Sequence, residues 1–315
     1  MTDTYPTLEI IIVSYNTADL TLDALRSVYE TTKVANFEVT VFDNDSSDDS
    51  ANLIAQQFPQ AKLIRSKDNI GFAAANNEAI KTTNSEWVLL LNPDTVCFDG
   101  AIDNLMSFAL SRPDAGIFGG RTEFKDGSLN PTSCWRFMSP WSLFTGATGL
   151  ARLFPKSDLI NREEYGKWQR DRVREVEIVT GCFFLTTRKL WDQLEGFDTD
   201  FFMYAEEADL CYRANKQGVR ALFTPDASIV HYGGASEPVR SDKMVRLLRA
   251  KMRFIRKHWS DGQVALGVLL FKLHVNVRRS AYFVLSRTGN KASHRDSLDV
   301  WTSIAKRQNE WISGE

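Results

Sequence analysis

In the first third of the chain short apolar runs alternate with helical periodicity, and each run ends in a polar cluster. Leu8–Tyr15 (LEIIIVSY) is a short, nearly continuous apolar run with Glu9 as its one charge, the pattern of a strand buried on both faces. Asn16-Thr17 can cap a helix over Asp19–Thr31, where Leu22, Leu25, Val28 and Tyr29 recur at helical spacing. Phe37–Phe42 (FEVTVF) reads as a second strand that enters the polar run Asp43–Ser50, and a helix carrying Leu53, Ile54 and Phe58 on one face follows. Lys62–Arg65 is a short third strand, and the turn Asp68-Asn69-Ile70-Gly71 opens a small-residue helix over Phe72–Lys81. Trp87–Leu91 (WVLLL) is a fourth strand, stopped by Asn92-Pro93-Asp94. Repeated strand–helix alternation implies right-handed crossovers and a doubly wound α/β fold with a mainly parallel sheet.

In such a sheet ligands bind beyond the carboxyl ends of the strands. Three polar clusters fall there: Ser14-Tyr15-Asn16, Asp43-Asn44-Asp45 and Asn92-Pro93-Asp94. Asn, Asp and Pro are also ordinary turn formers. Successive clusters at successive strand ends nevertheless describe a rim. There is no G-x-x-x-x-G-K-[ST] and no G-x-G-x-x-G after the first strand, so P-loop and Rossmann dinucleotide sites lose their main support. Without a glycine nest a diphosphate needs another counter-charge, and a divalent cation on Asp94 can supply it. Asp43 can accept a hydrogen bond from a base or a sugar hydroxyl.

Further along, Glu175–Thr187 (EVEIVTGCFFLTT) is a strand candidate in which Gly181 lets a substrate approach the backbone. Lys189–Leu194 is a short helix, and Gly196-Phe197-Asp198 turns into the aromatic stretch Phe201-Phe202-Met203-Tyr204. Glu206–Gln217 is a helix whose first turn carries Glu206, Glu207 and Asp209. Acids are favoured there by the helix dipole, and Asp209 can pair with Arg213. A carboxylate carried into an apolar cleft is also a candidate general base. His231 follows a strand candidate, Ala227–Val230, and precedes a glycine turn.

These segments together carry a resemblance. IIIVSYN (Ile10–Asn16), VFDNDSSDDS (Val41–Ser50), DNIGFAAANN (Asp68–Asn77), LLLNPDT (Leu89–Thr95), TGCFFLTTRKLWDQLEGFD (Thr180–Asp198), FFMYAEEADLCYR (Phe201–Arg213) and HYGGAS (His231–Ser236) stand in one order across about residues 8–236. The chain resembles inverting GT-A glycosyltransferases of family 2, in particular their rhamnosyltransferase-like branch. The resemblance implies a GT-A fold over 1–238 and a nucleotide-diphospho-sugar bound by Ser14, Tyr15, Asn16, Asp43, Asn69, Gly71, Asn92, Asp94 and Gly181. Asn92-Pro93-Asp94 stands where many relatives carry D-x-D, so Asp94 would hold Mg²⁺ or Mn²⁺ with His231 as a further ligand. The EEAD segment stands where relatives have Glu-Asp, so Glu207 takes the place of the usual Asp base, with Glu206 and Asp209 beside it. The donor implied is dTDP-rhamnose, or a UDP- or GDP-sugar, and the acceptor a lipid-linked or growing polysaccharide of the cell envelope.

The stretch Gly120–Arg174 differs among such relatives and helps contact the acceptor. Here Trp135 and Arg136, with Tyr204, are the acceptor-binding candidates. Two other classes stay open: a sugar-1-phosphate nucleotidyltransferase, which should carry an N-terminal glycine-rich phosphate loop where this chain reads SYNTADL, and a non-catalytic sugar- or lipid-binding relative.

The last quarter, 239–315, changes character. Between Arg240 and Trp259 eight Lys or Arg stand against one acid, Asp242, while Val245, Leu248, Met252 and Ile255 recur at helical spacing. Val264–Phe271 (VALGVLLF) follows, then Lys272, His274, Arg278, Arg279 and Tyr282–Leu285. Charge interrupts this too often for a membrane span, yet it suits a helical, interfacial region on an anionic membrane surface or a helix packed on protein. No basic region followed by an apolar one opens the chain, so no signal peptide is expected. Four cysteines without a C-x-x-C pair fit a reducing compartment. The expected location is therefore cytoplasmic, peripheral at the inner face of the cell membrane. The overall charge is −2, which argues against nucleic acid as a partner.

Overall fold

The computed structural model describes residues 6–33, 35–233, 240–288 and 292–314. Two compact units emerge: 1–135 with 169–202 and 206–236, and 136–168 with 203–205 and 237–315. The boundary expected at 238/239 lies outside the described residues.

The first unit begins as the apolar runs require, with β1 (Thr7–Ser14), α1 (Ala18–Thr31), β2 (Asn36–Asp43), α2 (Ser50–Gln57), β3 (Lys62–Arg65), α3 (Phe72–Lys81) and β4 (Trp87–Leu91). Strand β1 pairs in parallel with β2 and β4, and β2 with β3. Leu8, Ile10 and Ile12 join Val39, Val41, Leu89 and Leu91 in one core with Leu22, Leu25 and Val28 of α1. The intervening residues Ile11, Val88 and Leu90 are just as buried, and α3 packs on β1 and β2. Both faces of these strands are covered, which is why the runs are continuous rather than alternating.

Beyond Asp94 come β5 (Thr95–Cys97), α4 (Ala101–Leu110), β6 (Ile117–Glu123), β7 (Leu129–Asn130) and β8 (Cys134–Trp135). Helices α5 (Pro140–Thr148) and α6 (Leu150–Leu153) belong to the second unit. The expected strand Glu175–Thr187 is three strands: β9 (Arg174–Val176), β10 (Ile178–Val179) and β11 (Phe183–Thr187). Each finds a different partner, β9 on β12 (Ala221–His231), β10 on β8 and β11 between β4 and β6. A straight strand cannot serve three neighbours, so the chain bends at Glu177 and turns at Gly181 and Cys182. The main sheet runs β3-β2-β1-β4-β11-β6-β12-β5, with β11 antiparallel to both neighbours and β12 parallel to β6. It is mixed, its parallel half being the part legible as strand–helix alternation. Helices α7 (Arg188–Gln193) and α8 (Glu206–Lys216) complete this unit.

The second unit is helical: α5, α6, α9 (Arg240–His258), α10 (Asp261–Thr288), α11 (Ala292–Lys306) and α12 (Gln308–Ile312). The apolar stripe expected on α9 exists, and Val245, Leu248, Met252 and Ile255 are all buried. It faces protein, since α9 packs on α10, α11 and α12, and Phe254 stacks on Phe137. Several of its cations serve this packing. Arg249 donates to the Glu310 carbonyl at 2.8 Å, and Arg256 to that of Ile312 at 2.9 Å. Of the two alternatives left open for the last quarter, an interfacial helix or a helix packed on protein, the apolar stripe of α9 takes the second. Among the described residues no helix is long and apolar enough to cross a membrane.

Candidate active site

The ends of β1 and β2 are tied together by side chains from the first polar clusters. Asn16, in the left-handed region at φ 53°, accepts from the backbone N–H of Ser47 (2.7 Å) and Asp48 (3.3 Å), while its own N–H donates to Ser46 Oγ. Asn16 therefore fastens one rim loop to the next. Ser14 is fully buried, and its hydroxyl bonds those of Thr17 and Thr21, so it joins β1 to α1 rather than facing a ligand. Tyr15 stands exposed at the same strand end.

Asp43, the last residue of β2, is buried; its Oδ1 accepts from the Ser46 N–H and its Oδ2 has no partner. Asn69 Oδ1 accepts from Asn44 Nδ2 (3.0 Å) and from the Gly71 N–H (3.1 Å). Asn44 Oδ1 in turn accepts from the Ile70 N–H at 3.0 Å, so Asn44, given no role of its own in the sequence, is what holds the 69–71 turn beside Asp43. Gly71 has φ +83° and ψ 166°, and a Cβ there would meet the Phe202 carbonyl at 2.5 Å. The Phe72 N–H donates to that carbonyl at 2.8 Å. Gly71 is thus required by the close crossing of two backbones.

Asn92 and Asp94 lie in the turn between β4 and β5. Antiparallel pairing of β5 with β12 sets His231 opposite Thr95, next to Asp94. The result is His231 Nε2 at 3.4 Å from Asp94 Oδ1. The Tyr232 N–H also donates to the Asp94 carbonyl at 3.0 Å, and the Asn92 N–H to that of Cys182 at 3.1 Å. His231 Nδ1 and Asn92 Oδ1 are buried without partners. Burial opposes protonation of the His231 ring, but Cys182 and Asp94 beside it outweigh that and raise it to about 11. Once the imidazole gives up its proton, which a bound cation would displace, the carboxylate oxygen and imidazole nitrogen in contact form a donor pair suited to a divalent cation. Among the described residues no group of three or more His, Cys, Asp or Glu is arranged to hold an ion. The protein therefore offers two side chains, and diphosphate and water would have to complete the shell. On these terms the residues fit a metal.

Helix α8 follows Tyr204 and Ala205, both in left-handed conformation at φ 74° and 67°. This sharp entry delivers three carboxylates into the protein: Glu206, Glu207 and Asp209 are all buried. Asp209 accepts from Arg213 Nε at 2.7 Å, and Arg213 also donates to the Gly196 carbonyl at 2.8 Å. Asp209 is therefore a member of the frame that holds α8 to the preceding turn. Glu206 and Glu207 differ from it, because Oε2 of each is buried and without a partner. Burial raises both carboxyls above the ordinary range; the charge of Glu207 adds to the effect on Glu206, and helix N–H groups partly offset the effect on Glu207. A Cβ on Gly181 would lie 3.8 Å from Glu207 Cβ and 3.6 Å from the Phe72 ring, so the missing side chain leaves room of about a methyl group at the base of the Glu207 side chain.

The acceptor candidates are dispersed in their contacts. Trp135 pairs with Ile178 in the β8–β10 ladder. Arg136 donates to both carboxylate oxygens of Asp158 (2.9 and 3.2 Å) and lies over the Tyr165 ring at 4.4 Å, so within its unit it already braces the 136–168 segment. Tyr204 is half-buried at the entry to α8.

The sheet order and its polar rim define the GT-A class of nucleotide-sugar fold. Residues 9–194 match the model of the family described as glycosyl transferase family 2, and the chain belongs to that family. It is 28% identical over 207 residues to an N-acetylglucosaminyl-diphospho-decaprenol L-rhamnosyltransferase of Mycobacterium tuberculosis, covering 62% of this chain and 66% of that protein. Among solved structures it is similar to a mannosyltransferase of Pyrobaculum calidifontis in complex with GDP-Man and Mn²⁺ (TM-score 0.58, 16% identity, 99% of this chain and 86% of that one). It is also similar to GalNAc-T7 with UDP, GalNAc and Mn²⁺ (TM-score 0.57, 14% identity, 99% and 57%). These likenesses establish the fold. Glu206, Glu207 and His231 lie beyond the residues that the family model matches.

Proposed function

We propose that the chain is a divalent-metal-dependent inverting glycosyltransferase, moving a sugar from a nucleotide-diphospho-sugar to a lipid-linked or growing polysaccharide acceptor of the cell envelope. The observation that carries the reading is a set of buried, unpartnered polar atoms on the candidate residues: Asp43 Oδ2, Asn92 Oδ1, His231 Nδ1, Glu206 Oε2 and Glu207 Oε2. Unsatisfied buried groups are costly unless a ligand completes them. L-Rhamnose, carried as dTDP-rhamnose, is the sugar we favour, because the mycobacterial relative is named for it.

Asp94 and His231 would hold Mn²⁺ or Mg²⁺, which when bound neutralises charge on the leaving diphosphate. Asp43 accepts from the base or ribose, and the Asn44–Asn69 pair keeps that corner rigid. Glu207 takes the proton of the acceptor hydroxyl. The freed oxygen bonds to the anomeric carbon from the face opposite the phosphate, the carbon–oxygen bond to phosphate breaks, and nucleoside diphosphate leaves. One such displacement inverts the anomeric centre. The raised carboxyl of Glu207 suits a base that must take a proton near neutral pH.

A panel of nucleotide sugars, assayed with Mn²⁺ or Mg²⁺ for the released nucleotide, tests the reading. Nucleoside diphosphate is the expected product. Release of pyrophosphate would instead indicate a nucleotidyltransferase, and binding without release a non-catalytic relative.

A further inference from the structure

The apolar face of α9 is used inside its own unit, which leaves the question of what the remaining exposed apolar surface does. Of the 17 large hydrophobic side chains exposed among the described residues, 11 belong to the second unit, little more than a third of the chain. On α10, Leu266, Leu269 and Leu273 are 42%, 61% and 37% exposed and share one stripe at i, i+3 and i+7. Phe283 and Val284 extend it nearly three turns further on, at 45% and 56%. Lys272, Arg279 and Arg287 lie on the same side of the helix, and Asp261 at its start is the only acid in all 28 residues.

Helix α5 packs against α10 and adds an exposed stacked pair, Trp141 and Phe144, with ring centroids 5.7 Å apart. In the same unit Leu153, Phe154 and Leu159 are exposed by 72%, 52% and 70%, near Arg152 and Lys156. The charge divides the same way. The residues of this unit include 21 Lys or Arg against 10 Asp or Glu, a formal +11, so the rest of the chain carries −13 against the total of −2.

We propose that the outward stripe of α10, with the exposed apolar residues of α5 and α6, is a docking surface for an anionic lipid bilayer. An apolar stripe flanked by cations and free of acids lies in the headgroup boundary, its leucines among the acyl chains and its Lys and Arg at the phosphates. A second copy of this chain docking through the same face would meet the same positive charge and be repelled. The proposal stands on this surface alone and does not depend on the transferase reading.

The test is co-sedimentation of the full-length protein with vesicles of phosphatidylcholine, with and without about a third phosphatidylglycerol. Binding to the anionic vesicles alone, weakening as salt rises, is expected. Reversal of Lys272, Arg279 and Arg287 to Glu should weaken partitioning about 100-fold, and Leu266→Ser with Leu269→Ser and Leu273→Ser at least about 10-fold. Thermal melts of both variants should match wild type, because five of the six positions are exposed and Lys272 is partly exposed. An Asp94→Ala variant should still bind vesicles, which separates this proposal from the catalytic one. Unchanged partitioning of both triple variants overturns the proposal. So does equal binding to neutral vesicles, or equally tight binding to a DNA or RNA oligonucleotide. A leucine variant that loses self-association in sedimentation velocity but keeps its vesicle binding assigns the stripe to a dimer and overturns it too.

Discussion

Asp94 and His231 stand in contact, Oδ1 to Nε2 at 3.4 Å, because one antiparallel pairing sets His231 opposite Thr95. The two residues come from distant parts of the chain, and neither strand alone carries a pair. If they hold the metal, Asp94→Ala and His231→Ala should each weaken Mn²⁺ binding, measured by titration calorimetry or by the Mn²⁺ spin-resonance signal. Donor affinity should fall with it, since charge compensation is already used in the ground state. Chelation should abolish transfer and added Mn²⁺ or Mg²⁺ restore it. Full turnover in EDTA would remove the metal from the mechanism.

Glu207→Gln keeps size and removes basicity. Turnover should drop by about 10² to 10⁴-fold with donor affinity near wild type. Glu206→Gln is the informative control, because its Oε2 is equally buried and unpartnered. If only the Glu206 variant loses turnover, the base moves by one residue. Asp209→Asn tests something else: with Arg213 left poorly paired, thermal stability should fall more than turnover at a permissive temperature.

The pH dependence follows from the direction of the carboxyl shifts. Glu206 and Glu207 are both raised by burial, so the folded protein binds more protons than the unfolded chain above the ordinary glutamate range. Stability should therefore decline as pH rises through that window, and Glu206→Gln should flatten the decline and raise the melting temperature at neutral pH. Activity has the opposite slope, because the base must be ionised. Its acid limb should lie above the range of a free glutamate in a kcat profile. An acid limb at the ordinary glutamate value would show that no raised carboxyl governs turnover.

Gly71→Ala places a Cβ 2.5 Å from the Phe202 carbonyl, on a backbone that only glycine adopts easily. A loss of about 1 to 3 kcal/mol from backbone strain alone is expected in denaturant unfolding, with the clash adding to it. Gly181→Ala meets only ordinary contacts at 3.6 to 3.9 Å, so it should fold normally, and any loss should appear in kcat or KM.

Residues 8–91 were legible as strands and helices because their burial is local in origin: a strand covered on both faces must be apolar at nearly every position, whatever covers it, and the buried Glu9 is matched by the Thr40 hydroxyl at 2.6 Å. The carboxyl-end rim was legible for a related reason, since chain direction in a parallel sheet fixes which strand ends face a ligand. Glu175–Thr187 misled, because a run of strand-forming residues does not say how many partners it will meet, and pairing with β12, β8 and β4 in turn broke it. The stripe on α9 was visible from its period, but period reports amphipathicity and not the identity of the apolar neighbour. Only packing showed that Val245, Leu248, Met252 and Ile255 meet protein while Leu266, Leu269 and Leu273 meet solvent. Ser14, Asn16 and Arg136 were candidates by position, and their side chains are engaged by Thr21, Ser47 and Asp158. The sequence by itself determined the parallel half of the sheet and the residue types at its rim, because propensity and periodicity act over a few residues. The tertiary structure decided which of those side chains keep an unpartnered atom, because hydrogen-bond satisfaction depends on groups that only the folded chain brings together.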